Sequence, residues 1–330
     1  MTNYLIRRLA FFAVTVLFIT FFVYFLIRMM PGDPTLNEAA AMNPDRPISK
    51  QDYDRMRKTY GLDHPWYIAY FIWGGNALQG DLSTSFFHKR PVSKVIGERV
   101  GPTLLLSVPA IILAYTISIP IGLYSTARSG TFVERSISLL LYFLYSMPSF
   151  VAALWLLVFF YLRMQGTMFA LPASGMVSND YGQLSPFGKA WDVWTHMILP
   201  LTCLTYGALA YDSRFTKANM EEVMRQDYIR TARAKGVHPF WIMVRHGFRN
   251  TLIPFITLLG LSLPGLLSGA VILETIFNWP GMGSLFYEAV SFRDYPLIMG
   301  LVLMFTILTL AGQLMADIAY AFADPRITYK

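Results

Sequence analysis

The sequence is short of charged residues and has almost no cysteine. Charged residues make up 14% of the 330-residue chain, against about 25% in an average soluble domain. Apolar residues make up 55%. The single cysteine, Cys203, excludes an internal disulfide and any metal site built on paired cysteines. These shortages exclude a disordered chain or a disulfide scaffold, and they argue against an ordinary soluble enzyme.

The sequence also lacks the motifs of nucleotide-binding proteins and hydrolases. The nearest approach to a phosphate-binding loop, from Gly182 to Gly188 and Lys189, has one residue too many between its glycines, and Ala190 follows the lysine. There is no nucleophile elbow and no cluster of metal ligands in the sequence. We also expect none of the histidines to pair with a carboxylate along a helix. We therefore predict no catalytic residues, no metal and no cofactor.

Six apolar runs dominate the chain, and each is close to the roughly 20 residues that a membrane-spanning helix needs. They predict an all-α integral membrane protein with six transmembrane helices, and no alternation typical of a barrel is visible. We expect the first run to be retained, because it is longer than a signal-peptide core and no small-x-small cleavage site follows it. The six runs are 9–30, 102–124, 137–162, 194–212, 251–273 and 296–322.

The net charge of +7 is explained by topology better than by nucleic acid. Fourteen lysines and arginines fall in segments 1–8, 125–136, 213–250 and 323–330, but only three fall in 163–195 and 274–296. By the positive-inside rule, both termini are then cytoplasmic. The predicted organisation is a first helix over 1–30, a large outer loop over 31–101, a membrane core over 102–322 and a cytoplasmic tail over 323–330.

Ionisable groups are missing from the middle of every predicted span. This argues against a proton-coupled carrier or pump, and it weakens a sodium-coupled carrier without excluding it, since backbone oxygens can bind sodium. A membrane-bound enzyme has no visible chemistry. A passive channel and a permease driven by a separate ATPase remain.

The cytoplasmic loop 213–250 is too long for a simple helix connection. Residues 216–235 read as one amphipathic helix with Met220, Val223, Met224 and Tyr228 on its apolar face. Gly236 should end that helix, and a second helix should run from Pro239 to about residue 248. Two interpretations stay open: a knob that docks into another protein, or an interfacial helix on anionic lipid.

This loop resembles that of a known family. The sequence DYIRTARAKG over 227–236, followed by Arg245-His246 and RNTLIP over 249–254, resembles the cytoplasmic loop of ABC importer permeases of the dipeptide/oligopeptide/nickel family. The resemblance extends along the chain through MPGDP at 30–34, GLD at 61–63, GDL at 80–82, YSMP at 145–148, HMILP at 196–200, ETIF at 274–277, PGMG at 280–283 and RDYP at 293–296.

The loop of this chain differs from the family pattern at one motif, which limits the residue roles that the resemblance implies. Where the broader importer loop has Glu-Ala-Ala, this chain has Arg230, Thr231 and Ala232, so the glutamate contact to the ATPase is not transferred. The resemblance still implies that an ATPase-coupling surface is formed by Asp227, Arg230, Thr231, Ala232, Arg233, Ala234, Lys235 and Gly236.

The resemblance implies the type I ABC importer permease fold and a subunit without catalysis of its own. Two such permeases, expected to be a heterodimer, would form the pathway in a bacterial or archaeal inner membrane. Two cytoplasmic ABC ATPases would supply the power stroke, and an extracytoplasmic solute-binding protein would deliver the ligand. Di- and oligopeptides are the expected ligands, with nickel chelates and glycosides left open.

The outer loops and the pathway allow two interpretations each. The aromatic stretch 65–78 fits either an interfacial belt or a platform for the binding protein. Loop 274–296 fits either a surface turn or a scoop-like element that contacts the binding protein through Trp279, Pro280, Gly281 and Met282. Ser146, Thr205, Ser262 and Ser268 are candidates to line the pathway, although such hydroxyls also bond their own helix.

Overall fold

The computed structural model describes residues 2–30, 50–59, 61–268 and 270–323, and this part of the chain contains helices and no strand. Thirteen α-helices are described, together with a 3₁₀ turn over Tyr181–Gln183 and π-helical segments over Leu157–Arg163 and Ile242–Phe248. The α-helices are α1 (Thr2–Met29), α2 (Lys50–Thr59), α3 (Trp66–Leu78), α4 (Val92–Ala127), α5 (Phe132–Ser146), α6 (Ser149–Leu156), α7 (Pro186–Val223), α8 (Asp227–Ala234), α9 (Pro239–Trp241), α10 (Arg249–Ser268), α11 (Val271–Ile276), α12 (Met282–Ser291) and α13 (Tyr295–Ala323).

Four of the described helices are long and apolar enough to cross a membrane: α1, α4, α7 and α13. A fifth candidate is the pair α5 and α6, whose axes bend by 94° where they meet. The helix α10 covers most of the remaining predicted run, 251–273, although several of its side chains lie outside the described part. The all-helical class is therefore confirmed, with four or five apolar spans, and the sixth stays a prediction.

The bend between α5 and α6 falls at Met147 and Pro148, inside the run predicted as one span. Met147 has an extended backbone, with ψ 119°, as expected for a residue before proline. Pro148 has no N–H to continue the helical hydrogen bonds. The chain therefore turns sharply here, and a π-helical segment follows α6.

The helix α3 packs on α1. Gly61 ends α2, with φ +61° and a hydrogen bond from the Leu62 N–H to the Arg57 carbonyl. The α3 residue Tyr70 is buried, and its hydroxyl lies 3.0 Å from Thr20 Oγ1.

Close contact between α4 and α7 forms the centre of the helical core. A Cβ atom added at Gly122 would lie 2.6 Å from Thr216 Cγ2 and 2.8 Å from the Ser213 carbonyl oxygen. A glycine at such a crossing lets two helix backbones approach, which is a common way to pack helices in membranes. The two longest helices of the chain are thereby fixed against each other.

We expect Gly122→Ala to destabilise the protein by about 1–3 kcal/mol, the usual range for overpacking a tight site. The matched control is Gly101→Ala in the same helix, where no described atom lies within 4 Å of the new Cβ. Thermal unfolding of the purified protein in detergent measures both. Equal melting temperatures for the two variants would contradict the tight α4–α7 contact.

Candidate functional site

The helix α7 is followed by an elbow segment, defined as residues 224–248. The prediction of one helix over 216–235 is wrong: α7 runs on to Val223 and α8 begins at Asp227. Gln226 between them is extended, with ψ 152°. The reason is tertiary: Met220 is fully buried beside Gly247, whereas the apolar side chains of α8 bury against a different group.

A small apolar cluster fixes α8. Ile229 and Ala232, one turn apart on the helix, are buried together with Ile242. Tyr228 was predicted on the buried face, but it is 42% exposed, so that prediction is wrong by one position. Only one side of α8 is buried, so its other side is exposed on the protein surface.

Gly236 ends α8 in a left-handed turn, as predicted. Its φ is +70°, its N–H donates to the Arg233 carbonyl, and the Val237 N–H donates to the Ala232 carbonyl. These two hydrogen bonds are the pattern of a Schellman motif, and Val237 completes it by packing against the cluster around Ile229.

The second half of the elbow segment connects directly to a long helix. Pro239 opens it, and the Phe240 N–H donates to Nδ1 of His238. The predicted end near residue 248 differs from the structure, since the π-helical segment Ile242–Phe248 is followed without a break by α10. Ile242, the first residue of this π-helical segment, packs in the cluster with Ile229 and Ala232, so the segment links α8 to α10.

The solvent-exposed side of the elbow segment carries basic and aromatic residues. Asp227 and Arg230 form a 3.3 Å pair that is largely exposed, so it contributes little stability. Phe240 and Trp241 are both more than half exposed. The remaining exposed residues of the predicted coupling set are Thr231, Arg233, Ala234, Lys235 and Gly236, and only Ala232 of that set is buried. The surface can bind a groove that carries negative charge and apolar pockets.

The candidate pathway residues whose side chains are described differ in burial and in hydrogen bonding. Ser146 is exposed and donates to the Phe143 carbonyl of its own helix. Thr205 is buried, its Oγ1 has no hydrogen-bond partner among the described residues, and it lines a cavity of about 420 Å³. Ser262 is half-buried, and the side chain of Ser268 lies outside the described part.

Trp279 and Met282 are fully buried, so neither side chain forms an outer contact surface. Trp279 Nε1 donates to the Pro102 carbonyl at 2.9 Å. Pro280 is partly buried and Gly281 is buried. The large apolar side chains of this region that are exposed lie on α12 and just after it, at Tyr287, Val290 and Phe292.

The buried carboxylate of Glu274 is the centre of a hydrogen-bonded group in this region. We call this group the Glu274 cluster, and it consists of Thr103, Glu274, Met282 and Ser284. Glu274 accepts hydrogen bonds from Thr103 Oγ1 at 3.2 Å and from the Ser284 N–H at 2.9 Å. Thr103 in turn accepts from the Met282 N–H at 2.7 Å. Burial raises the pKa of the Glu274 carboxyl, although these donors oppose the shift. The cluster ties α11 and α12 to α4.

The expectation that no histidine pairs with a carboxylate along a helix is wrong. His196 Nδ1 lies 3.6 Å from Asp192 Oδ1, one turn earlier in α7. Asp192 also accepts hydrogen bonds from the N–H and the hydroxyl of Ser178. This group fastens the preceding loop to α7. No group of three or more metal-ligating side chains occurs among the described residues.

Comparisons with known proteins cover the full chain. Residues 118–329 match the family described as "Binding-protein-dependent transport system inner membrane component", and residues 1–107 match the N-terminal family of such membrane components. The oligopeptide transport system permease protein AppB of Bacillus subtilis is 37% identical over 330 residues, which is 100% of each chain.

Two further relatives also match this chain over almost its whole length. A Brucella suis biovar 1 protein named as a peptide permease is 36% identical over 328 residues, 99% of each chain. The glutathione transport system permease protein GsiC of Escherichia coli O6:H1 is 33% identical over 330 residues, 100% of each. A chain of the MetNI methionine ABC transporter is similar with TM-score 0.45 and 20% identity, covering 70% of this chain and 97% of that one.

Proposed function

The chain belongs to the family of binding-protein-dependent transport system inner membrane components, and from that premise we propose which solute it carries and how it is driven. It is a membrane-embedded permease subunit of an ABC importer. Its relatives are named for oligopeptide, peptide and glutathione transport, so we assign it to peptide import. It forms half of the translocation pathway and hydrolyses no nucleotide itself.

The proposal that an ATPase drives this permease rests on the structure of the elbow segment. A transport subunit without its own ATP site must receive force through a cytoplasmic surface. The segment offers a helix held on one side by Ile229, Ala232 and Ile242 and exposed on the other, and it continues into α10. We propose that an ATPase binds α8 and the Gly236 turn and that its movement is transmitted to α10.

Complementary surfaces define the expected partners. The exposed basic residues Arg230, Arg233 and Lys235 favour an ATPase groove with carboxylates, and Phe240 and Trp241 favour apolar pockets beside it. One ATPase on each of two permeases gives a complex of two ATPases and two permeases. The second permease is expected to differ from this one in sequence.

The proposed topology places both termini and the elbow segment in the cytoplasm of a bacterial or archaeal cell. The counts of lysine and arginine support this orientation, and α10 completes six spans. Trp279, Pro280, Gly281 and Met282 then lie on the outer side. Because Trp279 and Met282 are buried, we propose that they support the outer surface, and that Tyr287 and Phe292 meet the solute-binding protein.

Reconstitution tests this function. The tagged chain, purified from its native membrane, should bring with it two ATPase copies and a second permease. In proteoliposomes, that complex should take up a labelled dipeptide only with ATP and the loaded binding protein. Uptake that continues without ATP, or uptake by this chain alone, would contradict the proposal and favour a carrier or channel.

A further inference from the structure

A cavity of about 480 Å³ lies between α5 and α7, near the cytoplasmic end of the proposed core. Its lining includes the rings of Tyr142, Tyr145 and Tyr211 and the charged side chains of Arg214 and Lys217. Arg214 and Lys217 follow the predicted span 194–212 directly and belong to the segment assigned to the cytoplasm, where water can reach charged side chains. The cavity therefore belongs on the water-filled side of the helix bundle or at its edge.

Arg214 is the charged side chain in this cavity that has no ion-pair partner among the described residues. Its guanidinium carbon lies 4.1 Å from the ring centroid of Tyr142 and 5.7 Å from that of Tyr145. No hydrogen bond or ion pair to it is recorded from any described residue. Stacking on rings occupies the flat face of a guanidinium, so the N–H groups at its edge remain able to donate.

The nearby carboxylates are already engaged elsewhere. Glu134 is buried and accepts from Lys217 Nζ at 2.6 Å and from the Ser138 hydroxyl at 2.7 Å. Glu221 lies 3.6 Å from the same Lys217 Nζ and accepts from the Ser129 hydroxyl. Lys217 thus lies between two carboxylates, while the guanidinium of Arg214 meets only aromatic rings.

We propose that Arg214 binds the terminal carboxylate of the transported peptide on the cytoplasmic side of the pathway. A planar guanidinium binds a carboxylate through two parallel hydrogen bonds. The carboxylate is the group that peptides of every sequence share, so one arginine serves a permissive conduit. Two positive side chains, Arg214 and Lys217, and one negative side chain, Glu221, line the cavity, and Glu134 pairs with Lys217 from beyond that lining. A site with charges of both signs suits a zwitterion better than a free phosphate. This inference rests on the proposed peptide transport.

Photolabelling of the purified permease–ATPase complex in nanodiscs tests the site directly. The probe is the dipeptide alanyl-benzoylphenylalanine, compared with its C-terminal amide. The free acid should label segments 138–145 and 211–218, and the amide should label them at least tenfold less. Arg214→Gln should reduce labelling by the free acid to the level of the amide, and Arg214→Lys should lie between.

Matched variants separate binding from folding. Arg135→Gln removes an exposed charge from α5 outside the cavity and should leave labelling unchanged. Labelling that is equal for acid and amide, or that survives Arg214→Gln, overturns the proposal. Labelling lost on adding phosphatidylglycerol or phosphatidylethanolamine to phosphatidylcholine nanodiscs also overturns it, because the site then belongs to lipid. ATP-driven uptake by the unmodified complex would still support the proposed function.

Discussion

Gly236→Pro should abolish stimulation of the ATPase by loaded binding protein while leaving the chain inserted and assembled. Gly236 has φ +70°, whereas proline is fixed near −65°. Proline also removes the N–H that donates to the Arg233 carbonyl and disfavours the helical conformation of Lys235 before it. The turn that presents the end of α8 is lost, and we expect stimulated hydrolysis to fall at least about tenfold, equivalent to 1.4 kcal/mol of coupling.

Gly236→Asn is the matched control. Asparagine tolerates the left-handed region better than most residues, and no described atom lies within 4 Å of a Cβ at this position. We expect stimulation to stay within about twofold of the unmodified complex. If proline and asparagine gave the same hydrolysis rate in the reconstituted complex, the Gly236 turn would have no part in coupling.

Glu274→Ala should lower the melting temperature of the purified protein by about 5 °C or more. The substitution leaves the Ser284 N–H without its acceptor, and an unsatisfied buried donor costs about 1–3 kcal/mol. It also opens a cavity beside Gly281 and Gly283, whose missing side chains make room for the carboxylate. In domains of about 150–250 residues, each kcal/mol shifts the midpoint by roughly 2–4 °C.

Glu288→Ala provides the comparison on the neighbouring helix. Glu288 is partly exposed and lies 3.6 Å from His88 and 3.9 Å from Arg99, and pairs of this kind contribute about 0–1 kcal/mol. Its loss should shift the midpoint by less than about 2 °C, and Glu274→Gln should lie between the two. A Glu274→Ala protein as stable as Glu288→Ala would show that the Glu274 cluster does not hold α11 and α12 to α4.

Local features of the fold were predictable from the sequence because their causes are local. Gly236 followed by Val237 and Pro239 specifies the end of one helix and the start of the next. The runs around α1, α4, α7 and α13 were found from length and apolarity alone. The pair formed by His196 and Asp192 was also within reach, since their spacing of four residues in a helical run was visible.

Other features depend on partners far away in the sequence. Thr103 and Glu274 are 171 residues apart, and no local sequence pattern predicts their contact. The burial of Trp279 and Met282 depends on the same packing against α4 and was therefore not predicted. The break between α7 and α8 follows from Met220 packing on Gly247, which periodicity cannot reveal. The cavity around Arg214 likewise needs α5 and α7 to be placed side by side.

Site-specific cross-linking tests the docking of the elbow segment most directly. Cys203 is buried and is the only cysteine, so Cys203→Ala gives a background for one new thiol. Lys235→Cys should cross-link to the ATPase and resist an impermeant maleimide added outside sealed cells, whereas Gln183→Cys should react with that maleimide and form no cross-link. If Lys235→Cys reacts from outside, or forms no cross-link in the assembled complex, the elbow segment is not the ATPase-binding surface.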